Sequence, residues 1–199
     1  GVDSTVLKLQ EALLAAVEGD ASQATDIINE VLRENKNVPK AWEMLVNIQI
    51  GARDEKGLQK TLYRLERQNF AKDFLFAYTS GHLAMMRGNV DDMARHFENA
   101  LVYQPNNSQI LQFLIRLDMV LSRPDVAEVR TQRLLQLDPN DRVANFFMSN
   151  FQIERGEYDL AKESLRRLLK ENKDPLVMNS LAWVLQETGS LDEASETIT

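Results

Sequence analysis

The chain has 199 residues, no cysteine and a formal charge of −7 from 23 basic and 30 acidic side chains. The missing cysteine excludes thiol catalysis, disulfides and cysteine-held metals. An acidic chain without a clustered Lys/Arg face is a poor match for a phosphate backbone, so no nucleic acid is expected as a partner. Hydrophobic residues make up 44% and charged residues 27%, as in an ordinary folded chain. No apolar run approaches the roughly 18–20 residues that cross a bilayer, so direct membrane insertion by this segment is not expected.

In chain order, GVDSTVLKLQ lacks the basic start and apolar core of a signal peptide. Gly1 reads as a cloning remnant with the natural start missing, which leaves cytoplasm and periplasm equally open. Leu9, Leu13 and Val17 then form a helical stripe that runs up to Gly19. Pro39 opens the next helix, which carries Trp42 as a core residue. Farther on, one phrase recurs: GNVDDMARHFENALVYQPNN at 88–107, GEYDLAKESLRRLLKEN at 156–172 and GSLDEASETI at 189–198. Each begins at a glycine turn, passes an acidic residue and enters an amphipathic stretch.

The spacing is regular. Pro105 and Pro139 lie 34 residues apart, and Gly88 and Gly156 lie 68 apart with Ser122 at the turn between them. Gly19 precedes Gly88 by 69 and Gly189 follows Gly156 by 33, so one residue enters and one is lost. A fixed period of this length marks a stacked repeat in which each unit buries its apolar face against its neighbours. Glycine at the turn accepts positive φ and ends a first helix. Asp91, Asp125, Asp159 and Asp192 start the second helices, where a carboxylate meets the positive end of the helix dipole. Pro39, Pro124 and Pro175 fall where a missing N–H costs little. Helices of about 13–15 residues, roughly 20 Å long, are expected. The regular turns forbid the unbroken seam of a coiled coil.

These residues resemble the tetratricopeptide repeat family, whose 34-residue unit has small residues near positions 8 and 20 and proline near 32. Gly81 falls at position 8, and Ala24, Ala127, Ala161 and Ala194 fall at position 20. The resemblance covers nearly the whole chain as a single array of residues 1–199, with units at 5–38, 39–73, 74–107, 108–141 and 142–174 and a partial unit at 175–199. It implies an all-α fold, an α-solenoid of antiparallel helix pairs forming a right-handed superhelix. The array stops within its last unit without a polar cap, so the chain is expected to be a fragment of a longer protein. NSLAWVLQETGSLDEA is similar to the form common in bacterial members of the family.

The family lines its concave side with first-helix positions 2, 5, 6, 9 and 12. That assigns a peptide-binding groove to Tyr78, His82, Phe113, Arg116, Phe146, Asn150 and Trp183. Aromatic rings with a few guanidinium and amide donors suit an extended peptide. Phe147 stands at position 6, but it also completes an i, i+3, i+4, i+7 face with Ala144, Met148 and Phe151, so core and groove both remain open for it. Met85, Met86 and Met119 read as gap-fillers.

Catalytic patterns are missing. His82 and His96 are the only histidines, fourteen apart, and form no zinc motif. There is no G-x-S-x-G turn, and GLQKTLYR is no phosphate loop. No catalytic, cofactor-binding or metal residue is assigned, and no enzyme activity or cofactor is expected. The carboxylate clamp of chaperone-binding members is lacking, since Leu9 and Leu13 hold its positions in the first unit. The asparagine ladder of the N-acetylglucosamine transferase array is lacking too, with Met44, Thr79, Phe113, Phe147 and Ser180 in its place. The residues therefore suggest a non-catalytic protein-interaction scaffold whose partner is a protein or peptide. The alternative is a structural spacer or assembly module of a larger bacterial envelope or exopolysaccharide-related protein, associating with further repeats or a second copy.

Overall fold

The structure, a computed structural model, describes residues 4–68 and 73–198. Among them are twelve α-helices and no strand. The chain forms two compact units, residues 1–105 and 106–199. In the first, α1 (Ser4–Val17), α2 (Ala21–Glu34), α3 (Pro39–Gly51), α4 (Glu55–Arg67), α5 (Phe74–Met86) and α6 (Val90–Tyr103) follow one another as helix pairs. In the second, α7 (Ser108–Val120), α8 (Pro124–Leu137), α9 (Arg142–Glu154), α10 (Tyr158–Glu171), α11 (Pro175–Glu187) and α12 (Leu191–Ile198) do the same. This is the all-α, helix-pair solenoid expected from the period. Every helix up to α11 has 13 or 14 residues, and α12 has 8.

The period is written in the backbone. Among the described residues six have positive φ: Gly19 (89°), Arg53 (52°), Gly88 (70°), Ser122 (56°), Gly156 (72°) and Gly189 (75°). Each stands between the two helices of a pair, where a left-handed residue ends the first helix. Successive spacings are 34, 35, 34, 34 and 33, so the inserted residue falls between Arg53 and Gly88. The lost residue lies in the turn from α10 to α11, which has three residues where the turns from α2 to α3, α6 to α7 and α8 to α9 have four.

Helix starts are fixed by short polar side chains. The carboxylates of Asp20, Asp54 and Asp141 accept from the amides of Gln23, Gly57 and Ala144 at 2.8–2.9 Å. Asn89 and Asn107 do the same for α6 and α7. Each contact satisfies one of the donors a helix start leaves open. Pro39, Pro124 and Pro175 occupy the first helical position of α3, α8 and α11, and Asp91, Asp125, Asp159 and Asp192 sit in the first turns.

In the first unit the core runs through Ile28, Leu32, Trp42, Leu45, Leu58, Leu65 and Leu83. Trp42 is core as expected, 1% exposed, with its indole N–H donating to the Lys36 carbonyl at 2.9 Å. The Arg64 guanidinium lies 4.7 Å over its ring. In the second unit Ala161, Leu165, Leu181, Val184, Leu185 and Ala194 form one core cluster. The position-20 alanines Ala24, Ala127 and Ala161 are fully buried and Ala194 nearly so, which lets the two helices of a pair approach closely. Gly81 serves the same end from the first helix of its pair: a Cβ there would stand 2.7 Å from Phe97 Cε1.

A polar crosspiece recurs inside the pairs. Thr61 Oγ1 donates to Gln49 Oε1 at 2.9 Å, and Ser164 Oγ donates to Gln152 Oε1 at 3.1 Å. Between them in sequence, at the same 12-residue offset, Arg130 bonds the fully buried Asp118 carboxylate. Arg123 reaches the other Asp118 oxygen at 3.0 Å. All three pairs join the third turn of a first helix to the middle of its second helix. Sequence reasoning missed them because Gln, Thr, Ser, Asp and Arg look like surface residues until the register is known.

Candidate functional site

The first helix of each pair carries the positions assigned to the groove, and their surroundings differ between the two units. In the first unit, Tyr78 and His82 lie one turn apart on α5. This helix is apolar nearly all round and buries Ala77, Thr79, Ser80, Gly81, Leu83 and Ala84, as a helix without a polar face must. Phe74 stacks on Tyr78 at 5.4 Å, Tyr78 meets His82 edge-on at 4.5 Å, and His82 meets Phe97 of α6 at 5.2 Å. His82 is half-buried among these rings and its Nδ1 has no hydrogen-bond partner. Burial lowers its pKa to about 4, so the imidazole is neutral near pH 7. Burial likewise raises the Tyr78 phenol. Thr79, at position 6, is fully buried and donates to the Leu75 carbonyl at 2.6 Å.

In the second unit a recess of about 270 Å³ opens among α7, α9, α10 and α11. Val143, Phe146 and Phe147 of α9, Leu168 of α10, and Leu176 and Val177 of α11 form its apolar wall. Arg116 of α7, Arg142 and Asp174 supply its charges. Phe146 and Phe147 meet edge-on at 5.5 Å. Both rings are half-buried. Phe147, open between core and groove on sequence grounds, thus faces the recess while keeping part of its surface against protein. Phe146 also packs on the core cluster of α10 and α11.

The two arginines are differently engaged. Arg142 Nη1 donates to the Leu168 carbonyl at 3.2 Å, one of the last acceptors of α10, and Nη2 lies 3.8 Å from the Asp174 carboxylate. Arg116 is exposed, and its guanidinium makes one long contact, Nη1 to the Gln112 carbonyl at 3.4 Å.

The remaining assigned residues lie outside the recess lining. Phe113 and Asn150 are half-buried on α7 and α9. Trp183 is 43% exposed on α11, its ring edge-on to Tyr158 at 5.9 Å. The structure therefore brings Arg116 and Phe146 into one recess and Tyr78 and His82 into one ring cluster. Val143, Phe147 and Leu176, which also line the recess, fall at positions 2, 6 and 2 of their units.

Among the described residues no group of three His, Asp or Glu side chains stands close enough to hold a metal ion, and no helix is long and apolar enough to cross a membrane.

No protein-family model matches the chain. Over 114 residues, 57% of the chain, it is 28% identical to tetratricopeptide repeat protein 21A of Mus musculus, and it covers 8% of that protein's length. Among solved structures, PilF of Pseudomonas aeruginosa superposes with a TM-score of 0.78 at 13% identity, covering 97% of this chain and 88% of that one. PilW, described as a widely conserved type IV pilus biogenesis factor, gives 0.70 at 15% identity over 99% and 91%. YrrB, described as a tetratricopeptide repeat protein with an unusual peptide-binding site, gives 0.67 at 16% identity over 85% and 88%. The chain has the tetratricopeptide-repeat fold, and its resemblance to that family rests on the fold and on the repeat phase together.

Proposed function

We propose that this chain is a non-catalytic protein-interaction scaffold, and that its first-helix face binds a segment of a partner protein. The observation that carries the reading is the recess lined by Phe146, Phe147, Val143 and Leu176. These four are groove positions of two successive repeats, so a bound segment would touch residues that the period brings together. The peptide-binding site described for YrrB supports the same use of the fold. Stacked repeats offer extended surfaces, and a few large rings supply most of the energy of such contacts.

Site-specific photo-crosslinking tests this. A benzophenone side chain at Trp183, on the first-helix face, should capture a partner protein, whereas the same group at Val129 on α8, which is 67% exposed, should not. Equal capture from both positions would refute a groove. Capture of a second copy alone would favour the assembly-module reading, for which Leu7, Leu14 and Val17 of α1, 52%, 58% and 78% exposed, are the observation. Sedimentation at several concentrations separates that case, because reversible dimerisation is required for it.

A further inference from the structure

We infer that the recess in residues 106–199 recognises an internal acidic residue of a partner segment together with a bulky aliphatic or aromatic residue beside it. The inference rests on the groove reading above and names its chemistry. Arg116 would bind the carboxylate, and the apolar wall would take the neighbouring side chain.

The chain is 27% charged, yet of the fifteen first-helix groove positions on α7, α9 and α11 only Arg116 carries a charge. A face so depleted resembles the desolvated centre of an interface more than ordinary surface. Among the described residues no carboxylate lies within ion-pair distance of Arg116, while other arginines of this unit are paired. Arg142 serves Leu168 and Asp174, Arg155 serves Glu128 and Glu157, and Arg166 serves Glu193. Arg116 therefore has a planar donor set to offer, and a carboxylate is the group that uses it in bidentate fashion.

About 270 Å³ with apolar walls is below the roughly 300–1,000 Å³ typical of small-molecule sites and suits one large side chain. Phe147, Val143 and Leu176 offer no hydrogen-bonding side chain, and Arg142 and Asp174 of the same recess are engaged with the Leu168 carbonyl and with each other, so a polar residue seated against the wall would regain little for the water it loses.

Exposed or half-exposed groove residues flank the recess on both neighbouring first helices, Phe113 and Met119 on α7 and Trp183 on α11. A segment passing through would contact both. The carboxylate is then a side chain's and not a chain terminus.

Selection from a phage-displayed library of random peptides on the immobilised protein provides the test. The expected result is enrichment of sequences with Asp or Glu within two residues of Leu, Ile, Phe or Trp. Synthetic peptides of that type should lose at least about tenfold in affinity for an Arg116→Ala variant, as a charged hydrogen-bonded pair is lost. Selection on Arg116→Glu should turn to Lys or Arg at the same place. Leu176→Ser, at a side chain 70% exposed and so free of folding cost, should weaken the same peptides while leaving the acidic preference. Enriched peptides that lack the acidic residue and bind Arg116→Glu as well as wild type would overturn the inference and leave the groove reading standing. Absence of any enrichment would overturn both. An acidic preference that appears only when the acid is the peptide's last residue would show a terminus reader and overturn the assignment to an internal side chain.

Discussion

The close approach of α5 and α6 can be broken at one atom. An ideal Cβ at Gly81 would lie 2.7, 2.8 and 3.0 Å from Phe97 Cε1, Cδ1 and Cζ. These are ring atoms of a side chain only 2% exposed, so no flexible end can swing aside. The ring would have to move against Tyr78 and His82, whose centroids stand 6.3 and 5.2 Å away. Overpacking of this kind costs about 1–3 kcal/mol, and alanine returns up to about 1 kcal/mol through helix propensity. With the full propensity gain, Gly81→Ala should therefore lose up to about 2 kcal/mol net, and Gly81→Leu more. Denaturant unfolding followed by tryptophan fluorescence reads this in the correct unit once Trp183→Phe leaves Trp42 as the remaining fluorophore of the two. Gly51→Ala is the control, because nothing lies within 4 Å of a Cβ there, and it should be neutral or stabilising. Trimming Phe97 to Leu in the Gly81→Ala background should recover part of the loss, a coupling of at least about 0.5 kcal/mol. A Gly81→Ala protein stabilised by the full helix-propensity gain, about 1 kcal/mol, would refute the steric account.

Arg53 and Ser122 hold left-handed backbone that glycine occupies in the other pairs, so Arg53→Gly and Ser122→Gly should each stabilise by about 0.5–1 kcal/mol in thermal melts. Asp118→Ala should cost about 3 kcal/mol by removing the buried carboxylate that Arg123 and Arg130 share. The double change Asp118→Gln with Arg130→Thr, which installs the pair found at Gln49 and Thr61, should restore most of it. His82 folds neutral with a pKa of about 4, below its ordinary 6.5. Its contribution is thus constant above pH 6.5, falls as the unfolded chain takes up a proton between 6.5 and 4, and is fully lost below 4. Allowing for its partial exposure, the wild type should lose about 2 kcal/mol more across that interval than His82→Phe, by urea unfolding at each pH.

The fold was legible because its punctuation is chemical. Glycine at positive φ and proline at a first helical position are residues whose backbone limits can be read without neighbours, and four glycines with Pro105 and Pro139 set the phase. Arg53 takes the same conformation without the residue that advertises it, so that turn left no signature. The recess was legible in part: Arg116 and Phe146 follow from repeat position, whereas Phe147 satisfies two periodicities at once and only packing decides where its ring goes. His82 shows the limit of position as a guide. Its place in the repeat is that of a groove residue, but Phe97 and Tyr78 from the same unit close around it and remove most of its water.

The polar crosspieces bear on how repeats find their own partners. Second helices of a periodic chain present similar apolar stripes, and each first helix could in principle pair with a neighbour's second helix as repeat chains fold. A first helix carrying Gln49 or Gln152 would accept either Thr61 or Ser164 at the matching place. Asp118 is matched by neither, since a hydroxyl in place of the Arg130 guanidinium would remove one of the two cations that balance its buried carboxylate. The two cations that meet it both come with α8, Arg123 at the helix's N-cap and Arg130 in its middle. One charged pair in the middle of the sequence thus acts as an address label: once α7 and α8 have met correctly, helix pairings that slip by a whole repeat are disfavoured on both sides of them.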